Sequence, residues 1–502
     1  MSVRSLLGFL GALAVALAGR SAWGDPPSAT DEPLSAEEPE PAPRPGHLRY
    51  LLQDVEVRGN LRTRTGVILR YVHFRAGDML DVQNPEVELA RYRLLGTGFF
   101  ASVQLSLRRG DRRGTAVLVI DVVERNTIVV QNLWFGIAAD EDAAGNAKPL
   151  SGFVGLEAAE TNLAGTGIAL GAGIALASQQ IALRAHVEEP DLAGTGWSAL
   201  VSLIYADARD FFGSSGVVYA PVPGLPANTD YAPVVYQRYG GTLGTGHSLG
   251  PNTQLGLEYH LEQIDAIVPP VASALRGNAR EPIDFSILPG KSMLSTLRAT
   301  FVYDTRDLPF LPRRGWLAAA AITAGVPPLG SAYGYARVEL SAQRWWELPW
   351  KHVIRTSVFF GGIAGSAPFF EKFYIGDFTD LIPDRVLDLT PDRRQPPNLL
   401  DTDIVDVRFG DFASKIDVEY RVPIYTGKRA IFGIDLFASG GIWGVGSLPD
   451  LTDPPSGYSG FHRVPVDITY NLGVRLDTAL GGATIALSNL IGLIPAGSAV
   501  QR

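Results

Sequence analysis

At 502 residues the chain is too long for one small domain, and 46% apolar residues leave ample material for buried or lipid-facing surface. Charged residues make up 19% and the net charge is −9, so there is no basic field to hold a phosphate backbone, which argues against nucleic acid as a partner. The absence of cysteine excludes disulfides, thiolate metal sites and thiol nucleophiles, and suits export across a redox boundary.

The first 24 residues read as a signal peptide: Arg4 supplies the positive start, Leu6 to Ala18 is apolar, and Ala22-Trp23-Gly24 places small residues at a cleavage point before Asp25. That apolar run falls short of the roughly 20 residues a membrane-spanning helix needs, and no later stretch supplies one. Any membrane crossing must therefore use strands. Residues 25–46 are rich in Pro, Ser and Ala and carry Asp25, Asp31, Glu32, Glu37, Glu38 and Glu40, the composition of a flexible acidic linker.

Residues 47–125 read as an α+β domain. Val55 and Val57 alternate with Glu56 and Arg58 in a strand that stops at the turn signal Gly59-Asn60. Thr63 or Thr65 then caps a helix carrying Val67, Ile68 and Tyr71. Asn84 caps a second, with Val87, Ala90, Tyr92 and Leu94, ended by Gly96 and Gly98. Two strands close the unit, one alternating at Val103, Leu105 and Leu107, the other at Val117, Val119, Asp121 and Val123. The expected order is strand, helix, helix, strand, strand.

From Asn126 to the end, alternating stretches of about ten residues take over, a length that matches tilted membrane strands. In "TQLGLEYHLEQ", Leu255, Leu257, Tyr259 and Leu261 alternate with Gly256, Glu258, His260 and Glu262; in "SKIDVEYRVPIY", Ile416, Val418, Tyr420 and Val422 alternate with Lys415, Asp417, Glu419 and Arg421. Alternation alone fits a soluble sandwich as well as a membrane barrel. The leader, the length of the region and aromatic residues at strand ends favour an all-β transmembrane barrel of about 16 antiparallel strands over residues 126–502.

"VEVRGNLRTRTGVI", "RLLGTGFFASVQLSLRR" and "AVLVIDVVERN", with Gly59-Asn60 and Gly98-Phe99 at the turns, resemble a POTRA domain, the polypeptide-transport-associated module. Downstream, "AAETNLAGTGIAL", "VEEPDLAGTGW", "FFEKFYIGD" and "FVYDTRDLPFLPRRGW", with Asp304, Arg306, Asp307, Pro312 and Gly315, resemble the BamA/TamA-like superfamily of outer-membrane assembly factors. The resemblance covers nearly all of the chain after the leader. It implies a barrel in the outer membrane of a Gram-negative bacterium, with its POTRA domain in the periplasm. Unfolded outer-membrane or secreted polypeptides would be its clients, the lipid bilayer its surroundings, and accessory periplasmic or lipoprotein subunits its candidate partners. It implies no cofactor. The leading expectation is strand insertion at a seam between the first and last strands, near Thr127 and Leu490; the alternatives are two-partner-type secretion through the lumen and a passive pore.

Members of this superfamily place an inward Arg from the sixth loop against acidic residues of the next two strands. Glu419 and Asp435 match the acidic positions, but the loop's Arg-Gly pair is missing after "FYIGD". Arg385 is the first choice for the loop cation, with Arg393 and Arg394 farther along. Asp304, Arg306 and Asp307 read as a strand-end charge pair that fixes a turn, since no nucleophile or oxyanion pattern accompanies them. His260 and Glu262 read as lumen lining rather than a metal site. No hydrolase, zinc or phosphate-loop motif is present, so the chain is not expected to be an enzyme.

Overall fold

The computed structural model describes residues 49–488 apart from 82–84, 139–150, 178, 214–215, 221–222, 224–230, 251, 309–310, 380–384, 391–397, 428–430, 454 and 479–480. The leader, the acidic linker, Asn84, Arg393, Arg394 and Leu490 lie outside the described residues. The chain forms two units, one of Met1–Asn60 with Tyr71–Val123, the other of Leu61–Arg70 with Glu124–Arg502.

In the first unit, β1 (Arg49–Arg58), β2 (Met79–Asp81), β3 (Phe100–Arg109) and β4 (Thr115–Glu124) form a sheet in the order β2-β1-β4-β3. Strands β1 and β4 run parallel, and β2 runs antiparallel to β1. Two helices, α1 (Thr65–Arg70) and α2 (Pro85–Gly96), fall where expected, though α1 clusters with the second unit. Strand β2 was missed because three residues are too few to show a period. The alternation read over Val117–Val123 is also corrected: Ala116 to Ile120 are all buried, because β4 is central and both of its faces are covered. Gly59 closes β1 at φ +84°, and a Cβ there would meet the Val122 carbonyl at 2.0 Å. Phe99, after Gly98 at φ +74°, is 4% exposed.

The second unit is built on long antiparallel strands. These are β5 (Ile128–Ala138), β6 (Ser151–Glu160), β7 (Ala169–Ala177), β8 (Gln180–Glu189), β9 (Trp197–Phe212), β11 (Ala232–Gly250), β12 (Thr253–Ile267), β15 (Gly290–Asp304), β16 (Gly315–Gly325), β17 (Tyr335–Glu347), β18 (Val353–Gly365), β21 (Phe412–Thr426), β22 (Ile431–Gly446), β23 (Val466–Thr478) and β24 (Gly481–Ser488). Among the described residues they make one 15-stranded sheet in chain order from β5 to β24, and those two end strands lie in contact. At one end the connections are short turns of two to ten residues; at the other they include the long loops between β9 and β11, β12 and β15, β18 and β21, and β22 and β23. Within the long loops, β10 (Val218–Tyr219), β13 (Ala272–Arg276) and β14 (Ala279–Pro282) form a small sheet, and β19 (Phe373–Tyr374) pairs with β20 (Phe409–Gly410).

Burial resolves what alternation left open. Ile416, Val418 and Tyr420 are exposed while Asp417, Glu419 and Arg421 are buried; Leu255, Leu257 and Leu261 are exposed while Glu262 is buried. Apolar side chains face outward and charged ones inward, the polarity of a barrel solvated by lipid. Among the described residues no helix is long and apolar enough to cross a membrane.

Candidate functional site: the barrel interior and its end strands

Every strand presents alternate residues inward, so the interior collects charges from distant parts of the chain. Glu419 on β21 is 1% exposed, with Arg475 of β23 at 2.6 Å, Arg355 of β18 at 3.5 Å and Arg421 of its own strand at 3.6 Å. Arg355 also reaches Asp417 at 2.6 Å, and Arg421 lies 3.9 Å from Asp435 on β22. Glu419 and Asp435 thus share one cluster on neighbouring strands. Among the described residues its cations come from strands. Arg385 is held elsewhere in the lumen, donating to the carbonyls of Phe370 and Lys372. Arg385, expected as the cation for this pair, is instead held by those two loop carbonyls. Three strand guanidiniums already oppose the carboxylates, so a loop arginine would add repulsion rather than neutralisation.

Described residues of the loop between β18 and β21 enter the barrel and are tied down at other points. Thr390 donates to Asp210 of β9 at 2.6 Å, Arg184 of β8 donates to Asp388 at 3.2 Å, and Arg337 of β17 donates to the Glu371 carbonyl at 3.0 Å. Phe369, Phe370, Phe373 and Tyr374 are buried with Phe212 and Tyr236 in one cluster. Arg238 of β11, 5% exposed, lies 3.9 Å from the Phe370 ring centre and makes a two-pronged pair with Glu262 at 3.0 to 3.2 Å. His260 sits 3.1 Å from Glu262 and 2.8 Å from Thr242. These two residues line the lumen, and no group of metal-holding side chains occurs among the described residues. Sequence reasoning missed Arg238, Asp210, Arg355 and Arg475. The signal was there in the form of a charge at inward parity on each of their four strands, but not which charges meet across the lumen.

The Asp304 motif builds the turn from β15 to β16. Arg306 grips Asp304 with both prongs at 2.7 to 2.9 Å, and Asp307 accepts the backbone N–H groups of Arg313 and Arg314 at 2.8 and 3.2 Å. Gly315 has φ +110°, and a Cβ there would lie 2.2 Å from the Thr305 carbonyl oxygen. Arg421 of the interior cluster donates to the Pro312 carbonyl, joining the turn to the buried charges. At the turn between β6 and β7, Asn162 accepts from Gly167 N–H at 2.8 Å and donates to Thr63 at 2.8 Å. The backbone N–H groups of Thr63 and Arg62 converge on Glu124 at 2.6 and 2.9 Å. Burial raises that carboxyl, but the backbone donors outweigh burial and hold it below the ordinary carboxylate range.

An inverted-polarity barrel preceded by an α+β module is the class of protein these features define. Residues 162–487 match the Omp85 superfamily domain, and residues 50–125 match the POTRA model described as a surface antigen variable number repeat. The chain belongs to the Omp85 superfamily. No curated protein matches it in sequence. Among solved structures it is similar to BamA from Haemophilus ducreyi lacking POTRA domains 1-3, at 16% identity and TM-score 0.51, covering 88% of this chain and 81% of that one. It is also similar to CdiB from Escherichia coli, at 11% identity and TM-score 0.53, covering 88% and 72%. At such identities the likeness speaks for the fold.

Proposed function

We propose that this protein is a non-enzymatic outer-membrane factor that inserts or translocates polypeptides, its POTRA domain in the periplasm receiving unfolded clients and its barrel seam templating their strands. The observation that carries this reading is the meeting of β5 and β24. These first and last strands of the sheet are in contact. A sheet in lipid cannot leave backbone groups unpaired without cost, so such a junction is the place where a client strand gains most by pairing. The interior loop supports the same reading, because its aromatic residues are buried in one cluster with Phe212 and Tyr236 of the barrel strands. The POTRA sheet offers edges at β2 and β3 for adding an extended chain.

A polar cavity of 620 Å³ beside the loop, lined by Glu157, Arg184, His260, Arg298 and Asp388 among others, favours secretion through the lumen as the second reading. One experiment separates them. A disulfide between cysteines placed in β5 and β24 is expected to abolish client assembly while the barrel still folds and inserts. Full activity of the locked form would transfer the function to the lumen. Depletion of the protein, followed by an inventory of missing surface proteins, would identify the clients.

A further inference from the structure

At the short-turn end of β16–β18 the outward face carries a guanidinium where lipid is expected. Arg344 is directly opposite Trp316 in the β16–β17 register. Its guanidinium lies 4.7 Å from the Trp316 ring centre and 5.7 Å from that of Trp346. Both indoles are exposed, at 43% and 40%. Trp345, between Arg344 and Trp346, is 5% exposed and points inward, which fixes the outward direction of its two neighbours.

The patch continues sideways. Trp346 faces Ile354, which faces Tyr420, and the Tyr420 hydroxyl is 2.5 Å from His352. The turn that follows β17 adds Lys351, exposed, beside Trp350, 85% exposed. Among the described residues no carboxylate lies within ion-pair distance of Arg344 or Lys351, and the nearby Glu347 is taken by Arg314 at 2.6 Å.

An outward cation is costly at the centre of a bilayer and nearly free at headgroup depth, where indoles also collect. Aromatic rings at that depth pre-orient the guanidinium and contribute attraction through their faces, but they leave its N–H donors without an acceptor. A phosphate oxygen is the acceptor available there, and a planar guanidinium takes it with two parallel bonds.

We propose that Arg344, flanked by Trp316 and Trp346 and assisted by Lys351, binds the phosphate of an anionic glycerophospholipid in the leaflet at the short-turn end of the barrel. The inference rests on the reading of the sheet as a membrane barrel. The occupant is a phospholipid because short turns mark the periplasmic end in that reading. It is an anionic one because the patch presents cations and leaves no free carboxylate for an ammonium headgroup.

The test uses the full chain, reconstituted into phosphatidylcholine vesicles doped with either phosphatidylglycerol or lipid A. After extraction into mild detergent, native mass spectrometry counts the lipids that remain bound. The native protein should retain phosphatidylglycerol over phosphatidylcholine and lipid A. R344Q should lose that preference several-fold with its heat-modifiable barrel fold unchanged, and R344K, which keeps the charge but not the planar fork, should retain an intermediate share. Equal retention by native protein and R344Q, or preference for lipid A, would overturn the site while leaving the barrel reading intact. Failure of the native chain to insert into any vesicle would overturn both.

Discussion

Glu419, 1% exposed, stands against three guanidiniums, so its removal leaves buried like charges facing one another. Breaking a buried pair by deleting one partner typically costs about 3–5 kcal/mol. Glu419→Gln is therefore expected to lower barrel stability by about that amount, read as a shift in the urea midpoint of tryptophan fluorescence. Asp304→Asn removes a partly exposed pair and should cost no more than about 1 kcal/mol by the same assay. Gly315→Ala forces a Cβ against the Thr305 carbonyl in left-handed backbone; a loss of about 1–3 kcal/mol is expected, and an unchanged midpoint would show that the turn relaxes freely. Glu124 gives a prediction with a pH sign. Its folded carboxyl ionises more readily than the unfolded one, so its contribution is present above the ordinary carboxylate range and fades as pH falls through the lowered value. The stability gap between native protein and Glu124→Gln should be constant above about pH 5 and shrink below it, as followed by thermal melting.

At the scale of elements, the seam makes a cleaner prediction than any residue. The native chain has no cysteine, so a scan of cysteine pairs across β5 and β24 has no background thiol to compete. Crosslinking is expected for facing pairs and absent for pairs between β5 and β15, which lie far apart in the sheet order. The elements also show where the sequence was legible. The period of two around Leu257 and Ile416 reports strand and face together, and the ends of β1 at Gly59 and of α2 at Gly96 are punctuated by glycine. Partners across the lumen were not legible. Arg475 is 56 residues from Glu419 in the chain, and the choice of Arg475 over Arg385 depends on barrel curvature that no local pattern carries. Strand β2 and the pairing of β19 with β20 escaped for a different reason. They are two or three residues long and owe their form to neighbours rather than to propensity.

For the whole molecule, the POTRA module and the barrel make different demands on the same chain. Deleting residues 47–125 is expected to leave a barrel that still migrates as a heat-modifiable band but assembles no client, since the module's sheet edges would be gone while the barrel ladder is intact. Loss of the heat-modifiable band would show instead that the barrel needs the module to fold. The inverted polarity described above also governs how such a chain reaches its membrane. Along each spanning strand every second side chain faces the lumen, as Asp417, Glu419 and Arg421 do, so hydrophobicity averaged over about 19 residues stays low. Machinery that diverts helical segments sideways into the first bilayer they meet would find nothing here to hold. The part of the protein that ends up in lipid can thus travel through water first, and it becomes greasy only when its strands pair and turn their alternate faces outward.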